Sequence, residues 1–269
     1  MTAPSIRLVV FDMAGTIVDH GSMAPVAALV AAFRELGLEL STEDARGPMG
    51  LPKRDHIAEV LRLPSVASRW KAAFGHTPTS VDTDAIYERF LPLQAAEAQS
   101  RTDLIPGALS CLAALREKKI SVGTTTGYPR SIGQPVADAA SAQGWAADHC
   151  IFPDDVRAGR PAPWMIFRLM ELTSVYPVTA VLKIGDTVPD IEEGRNAGVW
   201  TIGVTETGSE IGLPLAETQA LPRLERTRRA ATAGEKLLRA GAHAVIGSVG
   251  ELPRLVDELD TRIANGEEP

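Results

Sequence analysis

Short apolar runs alternate with helical patterns along most of this sequence. Each run has the composition of a strand that is buried on both faces, and the segments between the runs carry apolar residues at helical spacing. Parallel strands joined by right-handed crossover helices produce this alternation. The sequence therefore predicts an α/β fold with a doubly wound parallel sheet, with strands at 6–11, 120–126, 149–152, 180–185, 199–204 and 243–246.

The block that follows the first strand has a different pattern. It shows only helical periodicity, and its last helix contains Pro92, where we expect a bend or a break. We interpret residues 20–102 as an all-helical cap domain, inserted into a core domain of residues 1–19 and 103–269. Such an insertion would cover the carboxyl edge of the sheet. Within the cap, helices are expected at 25–38, from 41, from 57, at 65–74 and at 80–95.

Composition narrows the class of protein. The chain has 269 residues, 45% of them hydrophobic, and a formal net charge of −7, so it lacks the basic character of a nucleic-acid-binding protein. No apolar run approaches membrane-spanning length, and the N-terminus shows no secretory pattern. Cys111 and Cys150 lack CxxC spacing and suit a reducing compartment. We therefore expect a cytoplasmic protein that binds neither nucleic acid nor membrane.

Polar residues end three of the predicted strands. Asp12 follows the first strand, Thr126 ends the second, and Asp186 and Asp190 follow the fourth. Because the carboxyl ends of parallel strands meet at one edge, these side chains can converge on one ligand. Carboxylate oxygens are the ligands that Mg²⁺ prefers. Alternatively, Asp12 caps the next helix, a role that aspartates after strands commonly have.

A phosphoryl group could not bind to carboxylates alone. At an effective dielectric constant near 20, a carboxylate and a dianion ~4 Å apart repel each other by roughly 8 kcal/mol. Mg²⁺ would supply one compensating charge, and Arg160 is expected to supply another through its planar fork of donors. Thr126 and turn amides are expected to bind the phosphoryl oxygens.

Taken in order, Asp12, Thr126, Arg160, Asp186 and Asp190 resemble the haloacid dehalogenase superfamily. That resemblance implies a phospho-aspartyl intermediate on Asp12 and a Mg²⁺ site that includes the backbone carbonyl of Ala14. Phosphatases of this superfamily usually carry an Asp at the position of Ala14, which protonates the alkoxide leaving group. The methyl group of Ala14 cannot donate a proton. This difference argues against ordinary phosphate-ester hydrolysis.

A more specific resemblance is to the phosphonoacetaldehyde hydrolase family. It rests on Asp12-Met13-Ala14-Gly15-Thr16, on the glycine- and proline-rich loop 46–56, on 125–128, on 159–164 and on 185–198, and so covers both predicted domains. Two departures are Met13, where the family often has Trp, and Ser22, where some members have Cys. The resemblance implies hydrolysis of a small-molecule phosphonate, substrate-binding roles for Gly50 and Gly127, and a homodimer formed through the cap.

The resemblance makes Lys53 the second catalytic residue. Cleavage of a phosphorus–carbon bond would expel a carbanion, but a Schiff base between Lys53 and the aldehyde lets the carbon leave as a neutral enamine. The attacking amine must be neutral, and lowering its pKa to ~7–8 costs about 4 kcal/mol. We expect burial and the positive neighbours Arg46, Arg54 or His56 to lower the pKa of Lys53. The alternative is a solvated lysine at a helix start.

Several further assignments leave alternatives open. His56 relays protons to Lys53 or caps a helix; Tyr128 and Met49 line the aldehyde pocket or pack in the core; Lys183 pairs with the site or emerges at a sheet edge. Three functions remain: phosphonoacetaldehyde hydrolysis, a phosphatase or phosphomutase of the same fold, and a catalytically inactive scaffold. The complete set of polar strand ends disfavours the third.

Overall fold

The computed structural model describes residues 5–49 and 51–269. Six parallel strands form one sheet in the order β3-β2-β1-β4-β5-β6, which confirms the predicted fold class. The switch in strand order lies beside β1, which pairs with both β2 and β4. The strands are β1 (Leu8–Phe11), β2 (Ser121–Thr125), β3 (His149–Ile151), β4 (Val181–Gly185), β5 (Trp200–Val204) and β6 (Ala244–Ile246).

The register of the central strands sets the position of the site. Phe11, the last residue of β1, lies opposite Thr124 of β2 and Ile184 of β4. The residues that follow each strand therefore emerge side by side at the carboxyl edge. All four residues of β1 and all five of β4 are buried, as expected for strands covered by helices on both faces.

Helices fill the intervals between the strands. Five lie between β1 and β2 before the first core helix, and none of the described residues in that interval forms a strand. They are α1 (Ala24–Glu35), α2 (Thr42–Arg46), α3 (Lys53–Arg62), α4 (Pro64–Phe74) and α5 (Ser80–Ser100). The remainder are α6 (Ala108–Glu117), α7 (Arg130–Ala142), α8 (Trp164–Thr173), α9 (Val188–Ala197), α10 (Leu215–Ala220), α11 (Arg223–Arg239) and α12 (Leu252–Ala264).

The five helices α1–α5, here called the helical segment, contain their own hydrophobic cluster. Phe33, Ile57, Trp70 and Phe90 are among its buried members, contributed by four different helices. Burial of these side chains holds the helices together independently of the sheet. The helical content of this interval agrees with the prediction, and its assignment as a separate domain with boundaries at 20 and 102 stays a prediction.

Of the bend or break expected at Pro92, the structure excludes the break. The helix α5 runs from Ser80 to Ser100 with Pro92 inside it, so the chain does not break there. Its buried face, which includes Phe90 and Ala98, is continuous across the proline, and this packing outweighs the lost hydrogen bond. No helix is predicted from the sequence at 215–220, where α10 lies; α11 begins at Arg223, directly after Pro222.

The helices of the described residues were also compared with the requirements of a membrane span. None of them combines sufficient length with sufficient apolar character to cross a bilayer.

Candidate active site

Three carboxylates meet at the carboxyl edge of the sheet. Asp12 follows β1, Asp186 follows β4, and Asp190 lies in the first turn of α9. All three are buried, and an oxygen of each lies within 4.8 Å of an oxygen of the other two. The parallel register of β1 and β4 explains why residues so far apart in sequence converge.

Glycines allow the backbone to approach these carboxylates. A Cβ atom at Gly185 would lie 2.2 Å from Cγ of Asp190, and one at Gly208 would lie 2.4 Å from Cβ of Asp186. Gly15, with φ +86°, would place a Cβ 2.6 Å from Oδ2 of Asp186. Larger residues at these positions would displace the carboxylates.

Asp186 lacks a cationic partner within 4.0 Å in the part of the chain that the structure describes. Its Oδ2 accepts a hydrogen bond from the Ser209 amide at 2.7 Å, and its Oδ1 accepts a long one from the Thr16 hydroxyl at 3.4 Å. Burial and repulsion from Asp12 and Asp190 raise the pKa of Asp186 well above its ordinary value. A buried cluster short of positive charge fits a divalent cation.

Arg160 binds three carboxylates at once. Its Nη2 lies 2.8 Å from Oδ1 of Asp12, its Nη1 lies 2.8 Å from Oδ1 of Asp190, and its Nε lies 3.0 Å from Oε2 of Glu193. Nη2 also donates to the Thr125 carbonyl at 2.8 Å. Burial alone would lower the pKa of Arg160, but the surrounding carboxylates outweigh it, so the guanidinium stays charged.

Lys183 resolves an alternative that the sequence leaves open. It is completely buried in β4, and its Nζ lies 3.0 Å from Oδ1 of Asp190 and 3.3 Å from Oε2 of Glu193. It also donates to the Thr125 hydroxyl at 2.8 Å. Lys183 therefore pairs with the site and does not emerge at a sheet edge.

Glu193 and Thr125 belong to the same network and were missed by the sequence analysis. The Thr125 hydroxyl donates to Oε2 of Glu193 at 3.1 Å. Both positions carried a usable signal. Glu193 follows Asp190 by three residues on α9, which places the two carboxylates on one helix face, and Thr125 directly precedes the predicted Thr126.

Arg160 and Lys183 affect the pKa of Asp12 and the pKa of Asp190 to different extents. Burial and the nearby Asp190 raise the pKa of Asp12, although Arg160 and Lys183 act in the opposite direction. Burial also acts to raise the pKa of Asp190, but there Arg160 and Lys183 prevail and lower it. Asp190 is thus the carboxylate held most firmly in its ionised form.

A cavity of about 50 Å³ lies directly above this cluster. An adjoining cavity of about 220 Å³ shares Lys53, Gly127 and Arg160 with it and opens toward Tyr87 of α5. The inner cavity brings together most of the residues that the sequence singles out: Asp12, Ala14, Met49, Lys53, Thr126, Gly127, Tyr128 and Arg160, together with Ser22. Gly50, also predicted to bind substrate, lies outside the described residues.

Lys53 is the first residue of α3 and reaches the inner cavity from the helical segment. Burial lowers the pKa of its amine to about 8, and Arg160 adds to this effect, whereas Asp12 opposes it. The prediction that Arg46 or Arg54 lowers the pKa of Lys53 is wrong. Arg46 donates to the carbonyls of Gly21 and Ser209, and Arg54 pairs with Asp84.

His56 lies one turn after Lys53 on α3 and is buried. Its Nε2 lies 2.7 Å from the Ala45 carbonyl oxygen, which can only accept, so Nε2 carries the proton. Burial and the neighbouring Lys53 lower the pKa of His56 to about 4, so the ring is neutral near pH 7. His56 is not among the residues that line the inner cavity.

Tyr128 and Thr126 occupy the turn after β2. The Thr126 hydroxyl accepts a hydrogen bond from the Tyr128 amide at 3.2 Å, which fixes the turn. The Tyr128 hydroxyl is buried and has no hydrogen-bond partner among the described residues. Burial, followed by repulsion from Asp19, Asp12 and Asp186, raises the pKa of Tyr128 well above its ordinary value, so this hydroxyl stays protonated and can donate.

A larger cavity, of about 450 Å³, lies within the helical segment. It is lined by charged and small side chains of α3, α4 and α5, including Arg54, Glu59 and Arg62. None of the described site residues lines it. The convergence of charge and catalytic residues therefore favours the smaller inner cavity as the active site.

The fold and this site define a class of protein. A family model described as haloacid dehalogenase-like hydrolase matches residues 6–198, a range that contains every carboxylate and cation of the cluster. The chain belongs to the haloacid dehalogenase-like hydrolases, and its relatives place it within them in the phosphonoacetaldehyde hydrolase family.

Two of these relatives are 42% identical to this chain, each over 264 residues. The phosphonoacetaldehyde hydrolase of Paraburkholderia xenovorans matches over 98% of this chain and 99% of its own length. That of Syntrophobacter fumaroxidans matches over 98% and 95%. Among solved structures, a phosphonoacetaldehyde hydrolase-like protein from Oleispira antarctica superposes with a TM-score of 0.95 at 36% identity, over 99% of this chain and 97% of that one.

The role of Lys183 in the buried network can be tested by Lys183→Met. The substitution preserves much of the side-chain volume but leaves Asp190 and Glu193 with one cation fewer, so the free energy of unfolding should fall by about 3 kcal/mol. Lys236→Met is the control, because Lys236 pairs with Glu210 on the surface and should cost less than about 1 kcal/mol. Urea unfolding measures both. Equal losses in the two variants would contradict the assignment.

Proposed function

We propose that this chain hydrolyses phosphonoacetaldehyde to acetaldehyde and phosphate. The observation that carries the proposal is the meeting of Lys53 and Asp12 in one small cavity that also contains Ala14. Asp12 can attack phosphorus, Lys53 can accept the electrons of the leaving carbon, and Ala14 shows that no side-chain acid is provided for an oxygen leaving group. The relatives named above support the same substrate.

The first chemical step belongs to Lys53. Its neutral amine adds to the aldehyde carbon, and loss of one water gives an imine whose nitrogen is then protonated. With a pKa of about 8 in place of the ordinary 10.5, about 300-fold more of the amine is neutral at pH 7. His56 is a weak base for the proton that the ammonium releases, because its pKa is lowered to about 4, so water is the proposed acceptor of that proton.

The second step breaks the phosphorus–carbon bond. A carboxylate oxygen of Asp12 forms a bond to phosphorus, while the electron pair of the phosphorus–carbon bond moves into a carbon–carbon double bond and neutralises the iminium nitrogen. The products are a phospho-Asp12 and an enamine on Lys53. Arg160, the Thr126 hydroxyl and the Gly127 amide are placed to bind the phosphoryl oxygens.

The last steps restore the enzyme. One water cleaves the phospho-Asp12 to phosphate and the free carboxylate. The enamine takes a proton at carbon to become an imine again, and a second water releases acetaldehyde from Lys53. One water is released when the imine forms and two are consumed afterwards. The net reaction is therefore phosphonoacetaldehyde plus one water, giving acetaldehyde and phosphate. Tyr128 and Met49 line the inner cavity, which is proposed to hold the two-carbon chain, and the substrate-binding role of Gly50 stays a prediction.

Magnesium is the proposed cofactor. Asp12, Asp186, Asp190 and the Ala14 carbonyl would hold it, because the three carboxylates converge and Asp186 lacks a cation of its own. When bound, Mg²⁺ supplies positive charge that offsets repulsion between the carboxylates and the phosphonate. A homodimer formed through the helical segment and a cytoplasmic location are further proposals, which rest on the family resemblance and on the composition.

Purified protein with phosphonoacetaldehyde and Mg²⁺ should release equal amounts of acetaldehyde and phosphate. Excess chelator should abolish the reaction, and added Mg²⁺ should restore it, because the buried carboxylates otherwise repel the substrate. Both products are followed enzymatically. Phosphate release from sugar phosphates, with none from phosphonoacetaldehyde, would favour the alternative phosphatase function and sink the proposal.

The electron-sink role of Lys53 is tested by trapping. Borohydride added with acetaldehyde, the product, should reduce the imine and attach a two-carbon group to Lys53, which peptide mass spectrometry locates. Lys53→Arg keeps the positive charge but cannot form the imine, so it should lose at least a thousandfold of its turnover. The exposed Lys71 is the internal control for nonspecific alkylation. An adduct on Lys183, or an active Lys53→Arg enzyme, would overturn the mechanism.

The pH dependence of Lys53 follows from its lowered pKa. Only the neutral amine reacts with acetic anhydride, so acetylation of Lys53 should rise with pH and reach half its maximum near pH 8, without added metal. Because Asp12 raises the pKa of Lys53, Asp12→Asn should move this midpoint to lower pH. Reactivity is measured by mass spectrometry relative to Lys71. A midpoint above pH 10 would show that Lys53 is solvated.

A further inference from the structure

Arg46 ends α2, in the helical segment, but its guanidinium binds groups outside that helix. Its Nη1 donates at 3.1 Å to the carbonyl oxygen of Gly21, where the chain leaves the core, and at 3.1 Å to that of Ser209, in the loop after β5. Among the described residues it makes no ion pair within 4.0 Å. Its Nη2 donates to Sδ of Met23 at 3.0 Å. Through its two carbonyl partners, Arg46 ties distant segments of the chain together.

The loop after β5, residues 205–214, also holds the metal-site carboxylate. The amide of Ser209, whose carbonyl binds Arg46, donates to Oδ2 of Asp186 at 2.7 Å. Gly208 lies directly against the Asp186 side chain. The Thr207 hydroxyl donates to the Gly15 carbonyl at 2.9 Å, beside the nucleophile. Both backbone hydrogen-bonding groups of Ser209 are thus engaged: its carbonyl oxygen accepts from Arg46 of the helical segment, and its amide donates to Asp186 of the carboxylate cluster.

We propose that Arg46 is a positioning residue that couples docking of the helical segment to the orientation of Asp186. When the segment is docked, Lys53 lies in the cavity and Arg46 holds the loop that directs Asp186. When Arg46 leaves, the two peptide groups that flank the Ser209 Cα are freer to rotate, and the hydrogen bond from the Ser209 amide to Asp186 weakens. The inference rests on the proposed function, because it links the proposed metal site at Asp186 to the proposed role of Lys53. Docking of the helical segment would position both residues.

Such coupling is reciprocal. If docking of the helical segment improves metal binding, metal binding must favour docking by the same factor. Mg²⁺ added to the free enzyme should therefore slow amide hydrogen exchange in the segment that carries Arg46, although that segment supplies none of the proposed metal ligands. This effect needs no substrate and no turnover.

The structure offers three variants for the test. Arg46→Met removes the donors and keeps much of the apolar stem. Gly212→Ala leaves Arg46 intact but displaces it, because a Cβ there would lie 2.6 Å from the Arg46 Cζ. Since the φ of +63° at Gly212 also strains the loop when alanine is placed there, this variant is interpreted only together with the Arg46 variants. Arg69→Met is the matched control, since Arg69 pairs with Asp44 of the same helix α2 and stays within the helical segment.

The experiment measures Mg²⁺ binding by calorimetry and amide exchange of residues 42–49 with and without Mg²⁺, all without substrate. Arg46→Met and Gly212→Ala should each weaken Mg²⁺ binding about tenfold and lose the Mg²⁺-dependent slowing of exchange. Arg69→Met should match the wild type in both. Arg46→Lys, which keeps charge and donors, should recover most of the affinity, a rescue that a purely steric role would not give.

Wild-type affinity in both Arg46→Met and Gly212→Ala would overturn the role of Arg46 and leave the proposed function intact. An equal loss in Arg69→Met would also overturn it, because the effect would then come from general loosening of the helices. If Arg46→Met does not fold, Gly212→Ala and Arg46→Lys decide the question by the same two measurements. Failure of the wild type to bind Mg²⁺ would overturn the metal site of the proposed function together with this inference.

Discussion

The balance of buried charge at the carboxyl edge of the sheet is the constraint on which the rest of this structure depends. Four carboxylates, Asp12, Asp186, Asp190 and Glu193, lie beside two cations in direct contact, Arg160 and Lys183, so two negative charges remain uncompensated. Uncompensated buried charge is costly. A divalent cation would supply the missing two charges, and Asp186, which has no cationic partner within 4.0 Å among the described residues, marks the place where that charge is needed.

The same balance explains why Lys53 can act as a neutral amine. A third permanent cation in direct contact with the carboxylates would be held charged, as Arg160 is. Lys53 comes from the helical segment, above the cluster. Burial is the largest influence on its pKa and lowers it; Asp12 raises the pKa and Arg160 lowers it. Direct ion pairs with Asp190 and Glu193 therefore distinguish Lys183 from Lys53, which is proposed to react as a neutral amine.

The sequence predicts the strand ends well because each is a local pattern: an apolar run, a carboxylate and a turn residue. Asp12 and Asp186 follow from this pattern, and the parallel arrangement that brings strand ends to one edge follows from strand and helix alternation. Contacts across the fold are a different matter. Lys183 lies in an apolar strand, and nothing local identifies Asp190 and Glu193 as its partners. Arg54 adjoins Lys53 in sequence but lies about 100° around the helix, so it pairs with Asp84 at the surface.

Ala14 stands where phosphatases of the superfamily usually have an acid, and Lys53 lies in the same cavity. In the proposed mechanism, both features belong to one change, from cleavage of a phosphorus–oxygen bond to cleavage of a phosphorus–carbon bond. A carboxylate at the end of β1 can attack phosphorus whatever the leaving group is, so the core alone does not decide which bond breaks. Assistance to an oxygen leaving group would come from position 14, within the core. In the proposed mechanism, assistance to carbon comes from Lys53, at the start of α3. That mechanism would assign bond specificity to the helical segment and would make the contacts that dock this segment on the sheet part of the catalytic apparatus.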